Sequence, residues 1–332
     1  MEHLIDDRYN EEVFLNSGKK YSEPDLVVLF RICLAVCGIT FNLLLLVLFL
    51  RRRVTDGVPT SVYCLLESLT FSNLVSSVGI IPFPAVSDVP DDTMGSIYCL
   101  LVFYPMLFWI GNIAGILSQL FITLDRYVHV VHPRCHRKHI ERNHNLSRLV
   151  TLCIWIIAIF INFSGILVVS ATENDECTVK WVTINQFQAF SIFIFVILYA
   201  VPTFFHVMVY CHIRYKIKRS NTYAIDVILS QQYPRFDRCS SISNDIISFF
   251  ILSLLFVFFW GQDQLFFLLL NLKVISTSLL LSNYRHVATL LAYSLAFVNP
   301  IVVMLSNRQI KRTAANCRRG VEGEEDSTND AV

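Results

Sequence analysis

Seven long apolar stretches constrain this 332-residue chain more than any other feature. They lie near residues 26–50, 58–82, 98–124, 148–170, 187–213, 246–270 and 286–305, and we number them spans 1 to 7. A transmembrane helix needs about 20 mostly apolar residues to cross a bilayer. FNLLLLVLFL and FFILSLLFVFFW are apolar on every face, whereas a helix of a soluble bundle keeps a polar stripe. Because barrel strands are shorter and alternate, the sequence predicts an all-α membrane protein with a seven-transmembrane helix bundle.

Basic residues predict how this bundle is oriented. Most of the 27 Lys and Arg residues follow span 1, lie between spans 3 and 4, lie around the loop between spans 5 and 6, or follow span 7. Short cytoplasmic loops carry this excess. We therefore expect an extracellular N-terminal segment at 1–25, which lacks the pattern of a signal peptide. A membrane domain at 26–305 and a cytoplasmic segment at 306–332 follow, with a disordered acidic tail.

Composition and motifs exclude several function classes. A net charge of +1 argues against a nucleic-acid partner held by a basic face. The chain has no Gly-rich phosphate loop, His-Glu-x-x-His or Cys-x-x-Cys motif, so we expect no enzyme and no cofactor. Histidines cluster between spans 3 and 4, and His132 and His136 are four residues apart, as metal ligands on a helix are. A solvated basic loop is the favoured interpretation, and we expect no metal site.

The inner end of span 3 reads LDRYVHVVHP. Its Asp125-Arg126-Tyr127 triplet, with Pro133 six residues later, resembles the signature of rhodopsin-like (class A) G-protein-coupled receptors. Further landmarks of that family occur in order along spans 1, 2, 4, 5, 6 and 7, at Asn42, Asn73, Trp155, Pro202, Tyr210, Phe256, Trp260, Asn299 and Pro300. The resemblance covers residues 25–317, and one landmark in each span makes it specific.

The resemblance implies a mechanism and a set of switch residues. A ligand from outside binds one packing of the helices better than another, and Arg126 is released to contact a heterotrimeric G protein. The coupling and activation residues would be Asp125, Arg126, Tyr127, Tyr210, Phe256, Trp260, Asn299 and Pro300. The segment SNRQIKR resembles a short amphipathic eighth helix in the cytoplasm. Basic loops would bind anionic membrane lipids, and the receptor would lie in the plasma membrane.

The cysteines divide by the predicted topology. Only Cys99 and Cys177 face the oxidising side, and they match the disulfide of the family. Cys317 lies past span 7 beside basic residues, where it is either palmitoylated or a plain cytosolic thiol.

Several positions depart from the family pattern. Gln262 replaces the proline that kinks span 6, so any bend must come from Gly261 or from packing. Val303 replaces a tyrosine of span 7, and Cys99 lies 27 residues before Arg126, two more than usual, which suggests a bulge or a slipped cysteine. Because Asn73 stands where the family has an aspartate, we expect no sodium effect. These departures make the receptor atypical, and its motifs are loosely similar to those of chemosensory receptors. We also expect elevated basal signalling.

A ligand pocket is expected between spans 3, 5, 6 and 7, open to the outside. Phe108 replaces the aspartate of amine receptors, and span 7 has no lysine for retinal, so a peptide, lipid or small organic ligand remains open. Asp263 either acts as a counterion for a cationic ligand, pairs with Arg285 or Lys273, or simply reaches water. The aromatic candidates could equally be packing residues. The pocket candidates are Tyr104, Phe108, Asn112, Trp260, Asp263, Gln264 and Tyr293.

The sequence thus predicts a receptor that binds an extracellular ligand in the helix bundle and activates heterotrimeric G proteins. Two other functions remain open. The chain could be a receptor-like membrane protein that does not couple and serves as a decoy or partner, since the span 6 proline and the span 7 tyrosine are missing. A seven-helix transporter is the weaker alternative, because few ionisable residues lie within the spans.

Overall fold

The computed structural model describes residues 25–56, 61–82, 93–99, 105–141, 144–166, 169–171, 177–179, 184–228, 249–276, 283–306 and 310. The helices that form spans 1 to 4 are Asp25–Asp56, Ser61–Gly79, Met106–Val131 and His144–Ile166. Span 5 runs through Ile184–Phe195, Val196–Ala200 and Val201–Ile228. Span 6 is Phe249–Asn271 and span 7 is Asn283–Ser306. The span numbers refer to these helices below.

Six of these helices are long and apolar enough to cross a membrane. They are spans 1, 3, 4, 5, 6 and 7, and their outer faces carry exposed apolar side chains such as Leu152, Ile156 and Phe160 on span 4. Exposed apolar faces of this kind fit lipid and would be costly in water. The chain is therefore a multi-pass helical membrane protein.

Span 2 is the helix that does not meet this criterion, and its packing explains why. Twelve of its 19 residues are buried, many of them Ser, Thr or Asn. It packs most extensively against span 3 and also touches spans 1, 4 and 7. Small residues allow close approach of helices in a bilayer: a Cβ added at Gly111 of span 3 would lie 2.6 Å from the Ser72 carbonyl oxygen. A helix enclosed by its neighbours needs few apolar side chains for lipid.

The N-terminal end of span 3, which the predicted orientation places outside, is shorter than the sequence indicates; "outer" and "inner" below refer to this predicted orientation. Cys99 lies at the end of a separate short helix, Thr93–Tyr98, and span 3 begins at Met106 after Pro105. The apolar stretch near 98–124 was predicted as one span, and the helix is instead displaced to Met106–Val131. Two separate helices account for the unusual spacing between Cys99 and Arg126.

A small hairpin follows span 4. Strand β1, Val169–Ala171, pairs antiparallel with β2, Cys177–Val179, with Val169 opposite Val179 and Ala171 opposite Cys177. The short helix Thr93–Tyr98 packs against β1. This arrangement brings the segment of Cys99 near the hairpin that carries Cys177.

Spans 5 and 6 each contain one wide π turn, Val196–Ala200 and Phe256–Trp260. The turn in span 6 ends directly before Gly261 and Gln262, where the family has its proline. Tyr199 of span 5 donates a hydrogen bond of 3.4 Å to the Val257 carbonyl. A Cβ at Gly261 would lie 2.5 Å from the Tyr199 hydroxyl. A π turn is one of the few local causes of a helix bend, and the turn at Phe256–Trp260 lies next to the position where the sequence lacks a proline.

The described part of the segment between spans 3 and 4, residues 132–141, is largely helical. It contains Pro133–Cys135 and a π-helical turn, His136–Glu141. His129 belongs to the last turn of span 3, and His136 is only 5% exposed. The interpretation as a solvated basic loop is therefore wrong for His136, because the segment folds back onto the end of span 3.

Candidate functional site

Aromatic side chains of spans 3, 6 and 7 form a cluster beside the first turn of span 3. Phe108 packs edge-on against Tyr293 at 4.8 Å between ring centroids and lies 6.5 Å from Trp260. Trp109 contacts both Phe108 and Trp260, the latter at 5.8 Å. Trp260 is fully buried, and its indole nitrogen has no hydrogen-bond partner. We call Phe108, Trp109, Trp260 and Tyr293 the aromatic floor; Trp109 was missed because its neighbour Phe108 occupied the expected helix face.

Polar contacts join spans 6 and 7 above this floor. Asp263 accepts a hydrogen bond of 3.1 Å from Thr289, and Arg285 stabilises its carboxylate electrostatically. Tyr284 donates to Gln262 at 3.0 Å. Asp263 therefore already has partners within the chain, and its role stays a prediction. Gln264 is 1% exposed and packs inside the bundle.

Arg31 of span 1 lies beside the aromatic floor. Its guanidinium donates to the Ile80 carbonyl at the end of span 2, at 3.2 Å. The same group lies 5.6 Å from the Tyr293 ring centroid. Tertiary packing thus turns Arg31 toward a residue of the predicted pocket.

A small cavity of about 20 Å³ lies at mid-depth between spans 2, 3, 6 and 7. Its wall contains Asn112 as well as the switch residues Phe256 and Asn299. The amide nitrogens of Asn112 and Gln119 and the Asn299 Oδ1 are buried there without hydrogen-bond partners. The cavity has room for one water molecule. Its lining consists of Asn73, Ser76, Phe108, Asn112, Gly115, Ile116, Gln119, Phe256, Ala292, Leu295, Ala296 and Asn299.

This lining is neutral. Asn299 donates to the Asn73 Oδ1 at 3.4 Å, and the wall contains no carboxylate. Within the described ranges, no group of three or more His, Cys, Asp or Glu side chains could hold a metal ion. The cavity therefore offers amide and hydroxyl groups for a neutral guest and no charge to balance a cation.

The inner end of span 3 holds Asp125 and Arg126 together. The Asp125 carboxylate accepts hydrogen bonds from Arg126 at 2.8 and 3.2 Å, and its other oxygen lies 3.1 Å from the His136 Nε2. Asp125 is 5% exposed. The Arg126 guanidinium also lies 5.7 Å from the Phe249 ring of span 6. The basic side chain is thereby held between its own helix and span 6.

His136 extends this cluster to a second imidazole. Its Nδ1 lies 3.4 Å from the Nδ1 of His129, and the two rings meet edge to face. His136 was missed as a site residue because a sequence shows a histidine-rich loop without showing which histidine folds back.

The other switch residues lie on spans 3, 5, 6 and 7. Tyr210 stacks on Phe250 of span 6 at 3.7 Å and accepts a hydrogen bond from Arg214. Tyr127 packs edge-on against His212 of span 5 at 5.5 Å. Pro300 is buried within span 7, as is Phe256 within the π turn of span 6.

Three of the predicted site residues lie wholly or partly outside the described residues. Tyr104 and Cys317 are not described, and nothing is described of the Cys177 side chain. Cys99 is fully buried and is not among the free cysteines, which include Cys33 and Cys64. The pairing of Cys99 with Cys177 stays a prediction.

Comparison with known proteins gives the chain its family. The family described as "7 transmembrane receptor (rhodopsin family)" matches residues 41–302.

Three curated receptors are similar to this chain over different shares of its length. The "High-affinity lysophosphatidic acid receptor" of Xenopus laevis is 22% identical over 183 residues, which are 52% of this chain and 47% of that protein. The "Dopamine receptor 3" of Caenorhabditis briggsae is 27% identical over 52% of this chain and 29% of its own length. The "QRFP-like peptide receptor" of Branchiostoma floridae is 20% identical over 88% and 78%. The chain thus spans less than half of the first two relatives. The residues that match the family include the lining of the small cavity and the Asp125–Arg126 pair. The chain belongs to the rhodopsin family of seven-transmembrane receptors and is not an enzyme.

Proposed function

We propose that this receptor binds an extracellular ligand at the outer end of the bundle and activates a heterotrimeric G protein at the inner end. The pair formed by Asp125 and Arg126 carries this proposal. Asp125 is buried and Arg126 is half-buried at the end of span 3, and the Arg126 guanidinium also lies close to the Phe249 ring of span 6. Outward motion of span 6 removes that second contact and makes Arg126 available to a partner.

The proposed pocket lies above the aromatic floor, and its chemistry limits the ligand. Asp263 already has Thr289 and Arg285 as partners, which argues against a role as counterion for a cationic ligand. Aromatic faces favour apolar or aromatic groups. The relatives named above are named for a phospholipid, an amine and a peptide. Because these names differ in chemistry, we assign a ligand with an apolar or aromatic group and no closer identity.

The proposed topology places the N-terminus outside and the C-terminus in the cytoplasm of a cell whose plasma membrane holds the receptor. Residues 1–25 form the extracellular segment, 26–305 the receptor domain, and 306–332 a cytoplasmic segment with the eighth helix. The proposal includes a disulfide between Cys99 and Cys177, and it leaves Cys317 as either a palmitoylation site or a plain cytosolic thiol. The positive-inside distribution of Lys and Arg supports this orientation.

Nucleotide exchange tests the coupling proposal without a known ligand. The purified receptor in lipid nanodiscs is mixed with a panel of G proteins, and basal loading of labelled GTP analogue is measured. We expect exchange above that of empty nanodiscs, and we expect Arg126→Ala to abolish the excess. Arg134→Ala is the matched control, because Arg134 is an exposed arginine of the same inner region.

A receptor that does not couple is the second candidate. Gln262 and Val303 replace two residues that the family uses in activation. Exchange that never exceeds the empty nanodiscs with any G protein, and that does not change in Arg126→Ala, would contradict coupling and favour this candidate. A transporter would instead show uptake or current without any G protein.

A further inference from the structure

A polar cluster joins spans 3, 5 and 6 in the inner half of the bundle. His206 of span 5 is 3% exposed. Its Nδ1 lies 3.0 Å from the Thr123 hydroxyl of span 3 and 3.2 Å from the Ser253 hydroxyl of span 6. We call Thr123, His206 and Ser253 the inner clamp. None of the three matches a motif of the family resemblance, and none lines the mid-depth cavity.

The hydroxyl protons determine how this clamp is bonded. Thr123 donates to the Gln119 carbonyl at 2.9 Å, and Ser253 donates to the Phe249 carbonyl at 2.9 Å. A hydroxyl has one proton, so both oxygens are left to accept. We therefore assign the proton of the neutral imidazole to Nδ1. This single N–H is shared between two acceptors on different helices, the hydroxyl oxygens of Thr123 and Ser253.

The clamp lies between the two parts of the proposed switch. Thr123 is one turn before Arg126 on span 3. Ser253 is one turn after Phe249, whose ring faces the Arg126 guanidinium, and three residues before Phe256. The His206 ring packs edge-on against Phe256 at 6.0 Å. Outward motion of the inner half of span 6 must separate the Ser253 oxygen from His206.

We propose that the inner clamp holds span 6 against spans 3 and 5, and that His206 is the positioning residue that sets how often this inner half opens. The inference rests on the coupling proposed above only for its effect on signalling. Its structural part requires no ligand and no G protein. A buried polar group in the membrane core keeps its partners because water is absent, so the bond closes again after each opening.

Backbone hydrogen exchange tests the structural part. Mass spectrometry measures amide exchange in span 6, at Phe249–Trp260, for the full-length receptor in nanodiscs. Ser253→Ala removes one acceptor and His206→Phe removes the donor while keeping a ring of similar size. We expect about fivefold faster exchange in each variant. Because alanine favours a helix more than serine does, a purely local effect of Ser253→Ala would slow exchange instead.

The double variant and a matched control make the test specific. Both changes break the same hydrogen bond, the one between His206 and Ser253. Amide exchange in span 6 of the double variant, Ser253→Ala with His206→Phe, should therefore be no more than about twofold faster than in either single variant. Ser77→Ala is the control, because this buried hydroxyl of span 2 also bonds the carbonyl one turn earlier, that of Asn73. It should leave exchange in span 6 unchanged.

The outcomes separate this inference from the coupling proposal. The inner clamp is overturned if amide exchange in span 6 fails to rise in one or both single variants. It is also overturned if the fold-changes of the two single variants multiply fully in the double variant. If exchange rises and basal loading of G protein rises with it, the clamp and coupling are both supported. If exchange rises while loading stays at the level of empty nanodiscs, the clamp is supported and the coupling proposal fails.

Discussion

The Asp125 carboxylate has two partners in the folded chain. One oxygen binds Arg126 of the same helix, and the other faces His136 from the segment after span 3. A buried carboxylate is stable only when its lone pairs are satisfied. The pair therefore holds Arg126 and anchors the segment between spans 3 and 4 at the same time, so that release of Arg126 and motion of this segment are linked.

Removal of the charge on Asp125 should raise basal signalling. Asp125→Asn keeps the shape of the side chain but loses the charge that holds Arg126. A hydrogen bond to a charged group contributes about 2 kcal/mol, so we expect basal G-protein loading to rise about tenfold or more. Loading of a labelled GTP analogue measures this effect.

Glu67→Gln is the matched control for this prediction. It breaks the ion pair of Glu67 with Arg53, which joins spans 1 and 2 and does not involve Arg126. Equal loading by the two variants, with equal amounts of folded receptor, would show that Asp125 does not restrain Arg126.

At the scale of elements, spans 5 and 6 meet at their two π turns. The Tyr199 hydroxyl reaches the Val257 carbonyl within the span 6 turn, and its ring fills the space that Gly261 leaves open. The π turn of span 6 is thus in contact with a side chain of span 5. The Gln262 side chain, at the position where the family has a proline, accepts a hydrogen bond from Tyr284.

Gly261→Ala tests this contact. At an ordinary position within a helix, replacement of glycine by alanine stabilises the helix by about 1 kcal/mol. At Gly261 the added methyl group meets the Tyr199 ring, so we expect a loss of about 1–3 kcal/mol and a lower melting temperature in detergent.

Two comparison variants make the result interpretable. Gly115→Ala is the control, because its added Cβ would lie 3.1 Å from the nearest atom, a less severe contact. Tyr199→Leu in the Gly261→Ala background should recover part of the lost stability. A melting temperature that rises in Gly261→Ala would show that Tyr199 does not fill this space.

At the scale of the whole molecule, the neutral cavity joins spans 2, 3, 6 and 7. Four helices contribute its wall, and its polar groups are amides and hydroxyls. A hard cation needs several oxygen ligands and usually a carboxylate. We expect water rather than sodium in this cavity.

The melting temperature in sodium chloride tests this expectation. Compared with N-methylglucamine chloride at equal ionic strength, sodium should shift it by no more than about 1 °C, because ligand-linked stabilisation requires a site. Asn73→Asp adds a carboxylate to the wall and should create a sodium-dependent increase. Selective stabilisation of the unchanged receptor by sodium would contradict the prediction, as would a sodium effect on ligand affinity.

The helical membrane fold could be predicted because a bilayer demands it of any sequence with such stretches. A helix that satisfies its own backbone groups over about 20 apolar residues is the local solution, and the order of landmarks from Asn42 to Pro300 indicated the family. Span 2 could be predicted as a helix from its sequence. Only the structure shows why it can be polar, because neighbouring helices enclose it.

Side-chain partners required the tertiary structure. The sequence by itself determined the number and order of apolar stretches, the all-α class and the Asp125–Arg126 pair, since each depends on residues close in the chain. Only tertiary packing decided that His136 folds onto Asp125, that Tyr199 fills the space at Gly261, and that His206 meets Thr123 and Ser253. These contacts join residues far apart in the chain, and no local periodicity specifies which distant side chain satisfies a buried polar group.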